Sequence, residues 1–127
     1  QNIGYLNETI HRHEELEFLI RILEKGKLAY VDEELVTIYD SRYPSPELME
    51  KEKEKFLDIL SGYVEKLEED GHDIKCVHDY ELAKAYFRKG NLYEGLHKIK
   101  KGCIKSYRDL ASVFWSIIVG FKNEYQI

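Results

Sequence analysis

Apolar residues recur at helical spacing close to the start of the chain. Four of them occupy positions i, i+3, i+4 and i+7, namely Leu16, Leu19, Ile20 and Leu23. This spacing predicts an amphipathic helix with a buried apolar stripe. Two adjacent carboxylates, Glu14 and Glu15, fall in its first turn. Helical spacing directs Glu15 toward the interior, on the side of Leu19, whereas Glu14 lies on the side of Phe18 and faces outward.

The carboxylate pair is a candidate for acid–base chemistry. The N-terminus of a helix stabilises negative charge by roughly 0.3–1 kcal/mol. A carboxylate there stays ionised near neutral pH and is available as a general base. The same two residues also suit an ordinary solvated first turn, and both interpretations are open at this point.

Two short strands and then a long helix are predicted after the first helix. Residues 28–31 and 35–39 are rich in β-branched and aromatic side chains, with Asp32-Glu33 between them. Ser45-Pro46-Glu47 is typical of a helix start. We expect that helix to run for roughly 24 residues, or about 36 Å, before Gly71 ends it. Its inward stripe is Met49, Lys53, Phe56, Leu60, Tyr63, Val64 and Leu67.

Two shorter helices are predicted at Tyr80–Lys89 and Leu92–Ile104, separated by Gly90-Asn91. The order Leu82-Ala83-x-x-Tyr86-Phe87-x-x-Gly90-Asn91-x-x-x-Gly95 resembles one tetratricopeptide hairpin, in which small residues let two antiparallel helices approach closely. A repeat array needs at least three such units, and one is visible. The hairpin is therefore a structural element or, alternatively, a peptide-binding module.

The last predicted helix, Leu110–Phe121, is apolar on nearly all sides. Such a helix is buried or docks on another surface. Packing against the preceding hairpin is the simpler interpretation. The alternative is a docking face for a second copy of the chain, for another part of a longer enzyme or for a membrane surface. Together with the stripe of the first helix, this surface leads us to expect a homodimer.

The first third of the chain carries a series of spaced motifs. They are, in order, Gly4-Tyr5-Leu6-Asn7-Glu8, Arg12-His13-Glu14-Glu15, the amphipathic run to Arg21, and Gly26 to Val36 followed by Tyr39. This series resembles the end of the catalytic domain in family 2 glycosyltransferases. In that family a turn rich in glycine and acidic residues leads to a helix with a Glu-Asp pair and an Arg, and a strand pair follows.

The resemblance implies a catalytic role for the carboxylate pair. The Asp of the family's Glu-Asp pair deprotonates the acceptor hydroxyl, and the matching residue is Glu15, longer by one methylene. Glu14 matches the Glu of the pair. A second departure is Tyr39-Asp40, where relatives usually have Tyr-Arg. The parent enzyme would transfer a sugar from a nucleotide-sugar donor to a hydroxyl acceptor, with inversion.

The nucleotide-binding half of such an enzyme has no counterpart in these residues. It would carry an Asp-x-Asp-like pair that holds Mg²⁺ or Mn²⁺ against the donor diphosphate, and Asp32-Glu33-Glu34 is in the wrong place to replace it. The chain starts at Gln1 and has its only methionine at Met49. We therefore expect residues 1–45 to be the C-terminal edge of a catalytic domain and residues 46–127 a helical appendage, without a cofactor or activity of their own.

The charge balance narrows the range of partners. A net charge of −5 with mixed signs lacks the concentrated basic face that nucleic acids require. The lysines at Lys98, Lys100, Lys101 and Lys105 are interpreted as a solvated helix face, with anionic lipid head groups as the alternative. The longest apolar run, near 113–119, is far short of the ~20 residues that cross a bilayer. We expect a cytoplasmic protein, with a peripheral membrane contact as the alternative.

Cysteine and histidine spacing gives little sign of metal chemistry. The two cysteines are expected to be reduced thiols. His11 and His13 diverge if they lie on a helix, and His72, Cys76 and His78 converge only if their loop folds back on itself. Neither group has the paired spacing of a structural zinc site.

The sequence thus predicts a mainly α chain of helical hairpins with one two-stranded β element near residues 28–39, as part of a larger α/β enzyme. Its predicted function is that of the C-terminal region of a glycosyltransferase. The alternative is a non-catalytic, tetratricopeptide-like interaction module.

Overall fold

The computed structural model describes residues 3–9, 14–27, 29–33, 37, 44–100 and 102–124. Contacts divide the chain into two compact units, Gln1–Pro44 and Ser45–Ile127. The described residues form six α-helices: α1 (Glu14–Lys25), α2 (Pro46–Ile59), α3 (Ser61–Glu69), α4 (Ile74–Arg88), α5 (Leu92–Lys98) and α6 (Tyr107–Glu124). The prediction of a mainly α chain is confirmed.

The predicted β element is not confirmed. Residues 29–33 and Thr37 form no strand, and the remainder of the two predicted strands lies outside the described residues. Tyr30 and Val31 are 87% and 53% exposed. This segment therefore buries little of the apolar surface that an isolated hairpin needs for stability.

The second unit begins at the predicted helix start. The side chain of Ser45 accepts a hydrogen bond from the backbone N–H of Leu48 at 3.2 Å, and Pro46 occupies the first turn of α2. This arrangement satisfies one of the N–H groups left unpaired at the start of a helix.

The predicted long helix is in fact two helices. Leu60, between α2 and α3, leaves the helical range with φ −101° and ψ 18°. The following Ser61-Gly62 pair explains the break, because such pairs are common sites of helix kinks. Phe56, Leu60 and Val64 are all buried, so this part of the apolar stripe continues across the break, whereas Tyr63 and Leu67 of the predicted stripe are exposed. The prediction of one uninterrupted helix is wrong.

Helix α4 is the centre of the second unit, since α2, α3, α5 and α6 all pack against it. It begins at Ile74, well before the predicted start at Tyr80. Ala83 and Phe87 of α4 are fully buried and form a core with Val113 of α6. Partly buried apolar side chains surround this core: Tyr80, Ile99, Ile104 and Ile117.

The turn between α4 and α5 follows the sequence prediction, but the end of α5 does not. Gly90 adopts φ +83°, a conformation that favours glycine and ends α4. Asn91 caps α5 by accepting a hydrogen bond from the N–H of Glu94 at 3.1 Å. The predicted extension of α5 to Ile104 is wrong, because Ile99 is extended at φ −73° and ψ 106°.

Two glycines set the spacing of α5 and α6 from α4. A Cβ atom at Gly95 would overlap the ring of Phe87, and one at Gly120 would overlap the Phe87 carbonyl oxygen. Protein interiors leave no room for such overlap. Gly95 therefore allows the close helical approach expected of the hairpin.

Helix α6 is buried on one side only. Val113, Ser116 and Gly120 are buried, whereas Phe114 and Trp115 are 59% and 61% exposed. The interpretation of this helix as core is therefore correct for one face alone. Among the described residues, no helix is both long and apolar enough to cross a membrane.

Cys76 of α4 and Cys103 in the connection between α5 and α6 form a disulfide. The prediction of two reduced thiols is wrong. The early start of α4 and the turn at Gly102, with φ +97°, bring the two residues together. Their Cα atoms are 5.3 Å apart, within the usual range for a disulfide.

Candidate functional site

The two predicted catalytic carboxylates lie at the start of α1. Glu15 is exposed and Glu14 is half-buried, which reverses the predicted facing. Leu16 and Leu23 of the predicted stripe are 42% and 46% exposed, whereas Glu17 is only 6% exposed. The inner face of α1 is therefore defined by an acidic residue as well as by apolar ones.

A guanidinium group explains how Glu17 is buried. Arg21 Nε lies 2.6 Å from Oε1 of Glu17, and Nη2 donates to Oε2 at 2.9 Å. Two charge-assisted hydrogen bonds compensate the loss of water around the carboxylate. The hydrogen bond to Glu17 is also the main reason why the pKa of Arg21 is raised.

The same guanidinium fixes the segment that precedes the helix. Arg21 Nη2 donates to the backbone oxygen of Tyr5 at 2.8 Å, and Nη1 donates to that of Ile3. Gly4, between them, adopts φ +79°, which is unfavourable for residues with a Cβ atom. Arg21 therefore holds the Gly4-Tyr5 turn against α1. We call this arrangement the Arg21 clamp.

The first turn of α1 presents an accessible carboxylate. Glu15 is open to solvent and lies at the end of the helix whose dipole favours negative charge. An ionised carboxylate in this position can accept a proton from a hydroxyl group that approaches within about 2.6–3.2 Å. Glu14 beside it is less accessible. The neighbouring Arg12 and His13 lie outside the described residues.

The histidines and cysteines considered as metal ligands have other contacts, are exposed or lie outside the described residues. Cys76 is bonded to Cys103 and offers no thiolate, and the ring of His78 packs 5.5 Å from that of Phe56. His72 is exposed, and the pair His11 and His13 lies outside the described residues. In the described part of the chain, no three His, Cys, Asp or Glu side chains are grouped so as to hold a metal ion.

The clustered lysines do not form one solvated helix face, so that interpretation is wrong. Lys98 ends α5, whereas Lys100 and Lys105 follow it outside any helix, and Lys101 lies outside the described residues. The other three make ion pairs with distant carboxylates: Lys98 with Glu50, Lys100 with Asp79, and Lys105 with Asp73. These lysines connect α5 and the segment after it to α2 and α4.

Asp79 is the most buried carboxylate of this charged network, with 4% of its surface exposed. It pairs with Lys53 of α2, and its Oδ2 lies 2.6 Å from Nζ of Lys100. Burial by itself would raise the pKa of Asp79, but the two ammonium groups outweigh burial and hold the pKa below its usual value. Asp79 therefore has a structural role.

A cleft of about 290 Å³ opens beside the disulfide. Its charged side chains already have protein partners. Lys105 pairs with Asp73, and Asp109 accepts hydrogen bonds from the backbone N–H groups of Lys105 and Ser106. Glu81 pairs with Lys84 at 2.8 Å. The hydrogen bonds of Asp109 stabilise the start of α6.

The feature of the site that sequence reasoning missed is the partnership of Glu17 with Arg21. A signal for it exists, because an acid four residues before a base is a favourable helical pair. The prediction of the buried face of α1 used the apolar stripe alone and left this pair out. The contacts of Arg21 with Ile3 and Tyr5 have no such signal, since they join residues 18 and 16 positions apart.

Comparisons of the chain with protein-family models, with curated proteins and with solved structures find no match. The proposed function therefore rests on the residues of the chain itself.

Proposed function

We propose that this chain is the C-terminal region of a family 2 glycosyltransferase and that Glu15 is its general base. The Arg21 clamp is the observation that supports this most directly. Three spaced elements that resemble the family are the glycine-containing turn, the acidic first helical turn and the Arg. All three lie in α1 or in the segment before it, and the guanidinium group of Arg21 binds the glycine-containing turn to this helix.

In this proposal Glu15 takes the proton of the acceptor hydroxyl. The hydroxyl oxygen forms a bond to the anomeric carbon of the sugar, and the bond between that carbon and the nucleoside diphosphate breaks on the opposite face. The configuration at the anomeric carbon is thereby inverted. Another part of the longer protein would bind the nucleotide and a divalent cation that neutralises the diphosphate.

Arg21 is a positioning residue in this proposal. By holding the Gly4-Tyr5 turn against α1, it fixes a segment that precedes the helix. A general base must lie within about 2.6–3.2 Å of its proton, so a small displacement reduces the rate. Glu14, half-buried next to Glu15, would contribute to the local charge.

Substitution of Glu15 in the protein of the complete reading frame tests the proposal. Glu15→Gln keeps the side-chain volume and removes the base, so we expect kcat to fall about 10²–10⁴-fold. The KM for the donor should change little, because the donor binds elsewhere. Glu14→Gln is the matched control and should lower kcat less than Glu15→Gln does. Equal and small losses at both positions would contradict the role of Glu15.

A second candidate is the tetratricopeptide-like interaction module. The observation that favours it is the closely packed α4–α5 hairpin, whose Tyr93 and Leu96 are 77% and 67% exposed. Under this hypothesis, Leu96→Ser weakens binding of a partner protein and Glu15→Gln has no effect. The same pair of variants therefore separates the two candidates.

A further inference from the structure

The disulfide between Cys76 and Cys103 is open to solvent on one side. Both cysteines line the cleft of about 290 Å³, so a thiol compound can reach the bond without unfolding the helices around it. The two cysteines differ in exposure: Cys103 is buried, with 8% of its surface exposed, whereas Cys76 is half-buried. The rate of attack on a disulfide depends on access to each sulfur, and here the accessible sulfur is that of Cys76.

The segment that carries Cys103 is held beside α4 by contacts other than the disulfide. Lys100 pairs with Asp79 and Lys105 pairs with Asp73, so an ion pair lies on either side of Cys103 in sequence. Partly buried apolar side chains of the same segment pack against the core that α4 and α6 form. Cleavage of the disulfide leaves these contacts in place. The second unit should therefore be less stable but still folded when the bond is reduced.

These contacts also decide which reductant can open the bond. A single thiol that bonds to Cys76 releases Cys103 as a thiolate, but the segment holds that thiolate nearby, since the two Cα atoms are 5.3 Å apart in the disulfide. A group held at such short range has a high effective concentration. The thiolate of Cys103 therefore attacks Cys76 again and expels the single thiol. A reductant with two thiols avoids this reversal, because its second thiolate attacks its own sulfur in the mixed disulfide.

We propose that Cys76 and Cys103 form a reversible thiol–disulfide exchange site, which a dithiol reduces through the cleft while the second unit stays folded. One thiolate of the dithiol bonds to the sulfur of Cys76, and the bond between the two cysteine sulfurs breaks with its electron pair on Cys103. The second thiolate then bonds to the first sulfur of the dithiol, and Cys76 leaves as a thiolate. Two electrons pass from the dithiol to the protein, and the two protons of the dithiol end on the two cysteines.

The exchange site and the proposed general base belong to different parts of the chain. Cys76 and Cys103 lie in the second unit, whereas Glu15 lies in the first. This inference is therefore independent of the proposed glycosyltransferase function.

Reduction of the full chain without unfolding it tests the proposal. The chain is treated with dithiothreitol at about pH 8, where thiols react readily, and at about 10 °C, because loss of the bond lowers stability. We expect two titratable thiols per chain and an unchanged helical signal in circular dichroism. Addition of about 1 M urea should change the rate of reduction less than about twofold. A reaction that required global unfolding would become about fivefold faster in the same urea concentration.

Two single-cysteine variants identify the sulfur that is attacked. Cys103→Ser leaves Cys76 as the only thiol, and the matched control Cys76→Ser leaves only Cys103. Iodoacetamide should modify Cys76 about tenfold faster than Cys103, because Cys76 is the more exposed. Circular dichroism checks that both variants are folded. If either is not, wild-type chain is treated with 2-mercaptoethanol and quenched in acid, and peptide mapping should find the mixed disulfide on Cys76.

Three results would overturn the proposal. The first is a bond that dithiothreitol reduces only in denaturant, or with the fivefold acceleration in urea, because either would make it a purely structural disulfide. The second is loss of the helical signal when the bond is reduced at about 10 °C, which would show that the fold requires the bond. The third is reaction at Cys103 as fast as or faster than at Cys76, which would show that the cleft does not direct the thiol.

Discussion

The disulfide between Cys76 and Cys103 should contribute a large part of the stability of the second unit. It joins the first turn of α4 to the connection between α5 and α6 across 27 positions of sequence. Reduction, or the double substitution Cys76→Ser and Cys103→Ser, releases this connection. The unfolded chain then gains conformational entropy, because the loop between the two cysteines is no longer closed.

The size of the effect follows from the length of the loop. The chain-entropy relation gives a loss of about 12 cal/mol/K for a loop of this length, which is about 3.5 kcal/mol at 25 °C. The second unit, Ser45–Ile127, has an expected unfolding entropy of about 170 cal/mol/K. The midpoint of thermal unfolding should therefore fall by about 20 °C when the bond is removed.

Thermal unfolding followed by circular dichroism, with and without dithiothreitol, measures this difference. Reduced wild-type protein keeps both sulfur atoms, so it separates loss of the bond from loss of packing at Cys103, which is 8% exposed. The double serine variant should melt near the reduced protein and be insensitive to dithiothreitol. A midpoint that reductant shifts by less than a few degrees would refute the reasoning, as would two titratable thiols in the native, non-reduced protein.

Three further perturbations have defined outcomes, the first two in denaturant or thermal unfolding and the third in limited proteolysis. Gly120→Ala should destabilise the second unit by about 1–3 kcal/mol, because the new Cβ overlaps the backbone of α4, whereas Gly62→Ala, with open space around it, should stabilise by about 0.5 kcal/mol. The pKa of Asp79 is lowered in the folded state, and a hydrogen bond from Lys89 lowers that of Glu47 to about 2. Both carboxylates therefore favour folding at a pH above their pKa values in the unfolded chain. The free energy of unfolding should hold from pH 7 to about 5 and fall as the pH drops from about 4 to 2. This fall should be shallower in Asp79→Asn. Arg21→Lys keeps the charge but loses the planar guanidinium group that binds both Glu17 and the Gly4-Tyr5 turn. It should therefore speed proteolysis near Tyr5, whereas Lys25→Arg should not.

Signals carried by neighbouring residues predicted the start of α2 and the turn between α4 and α5. Ser45-Pro46 gave the start of α2, and Gly90-Asn91 gave the turn between α4 and α5. In both places the conformation depends on one side-chain cap or one glycine dihedral angle. Such features need no knowledge of distant residues, and for this reason the sequence pattern was sufficient.

Features that depend on distant residues were predicted poorly. The facing of α1 depends on contacts of Arg21 with the turn that precedes the helix, so Glu15 proved exposed and Leu16 partly so. The disulfide depends on how the connection after α5 folds back, which the spacing of the two cysteines does not indicate. Glu14 and Glu15 were correctly placed in a first helical turn, but their relative accessibility required the tertiary contacts.

Acceptor-dependent release of nucleotide is the measurement that tests the proposed function most directly. The protein of the complete reading frame and the 127-residue chain alone are assayed side by side with a panel of nucleotide-sugars and hydroxyl acceptors. We predict release by the longer protein, dependent on Mg²⁺ or Mn²⁺, and none by the chain alone, because the nucleotide-binding half is expected outside these residues. Turnover by the chain alone, or a complete reading frame without a nucleotide-binding α/β half, would contradict the proposal.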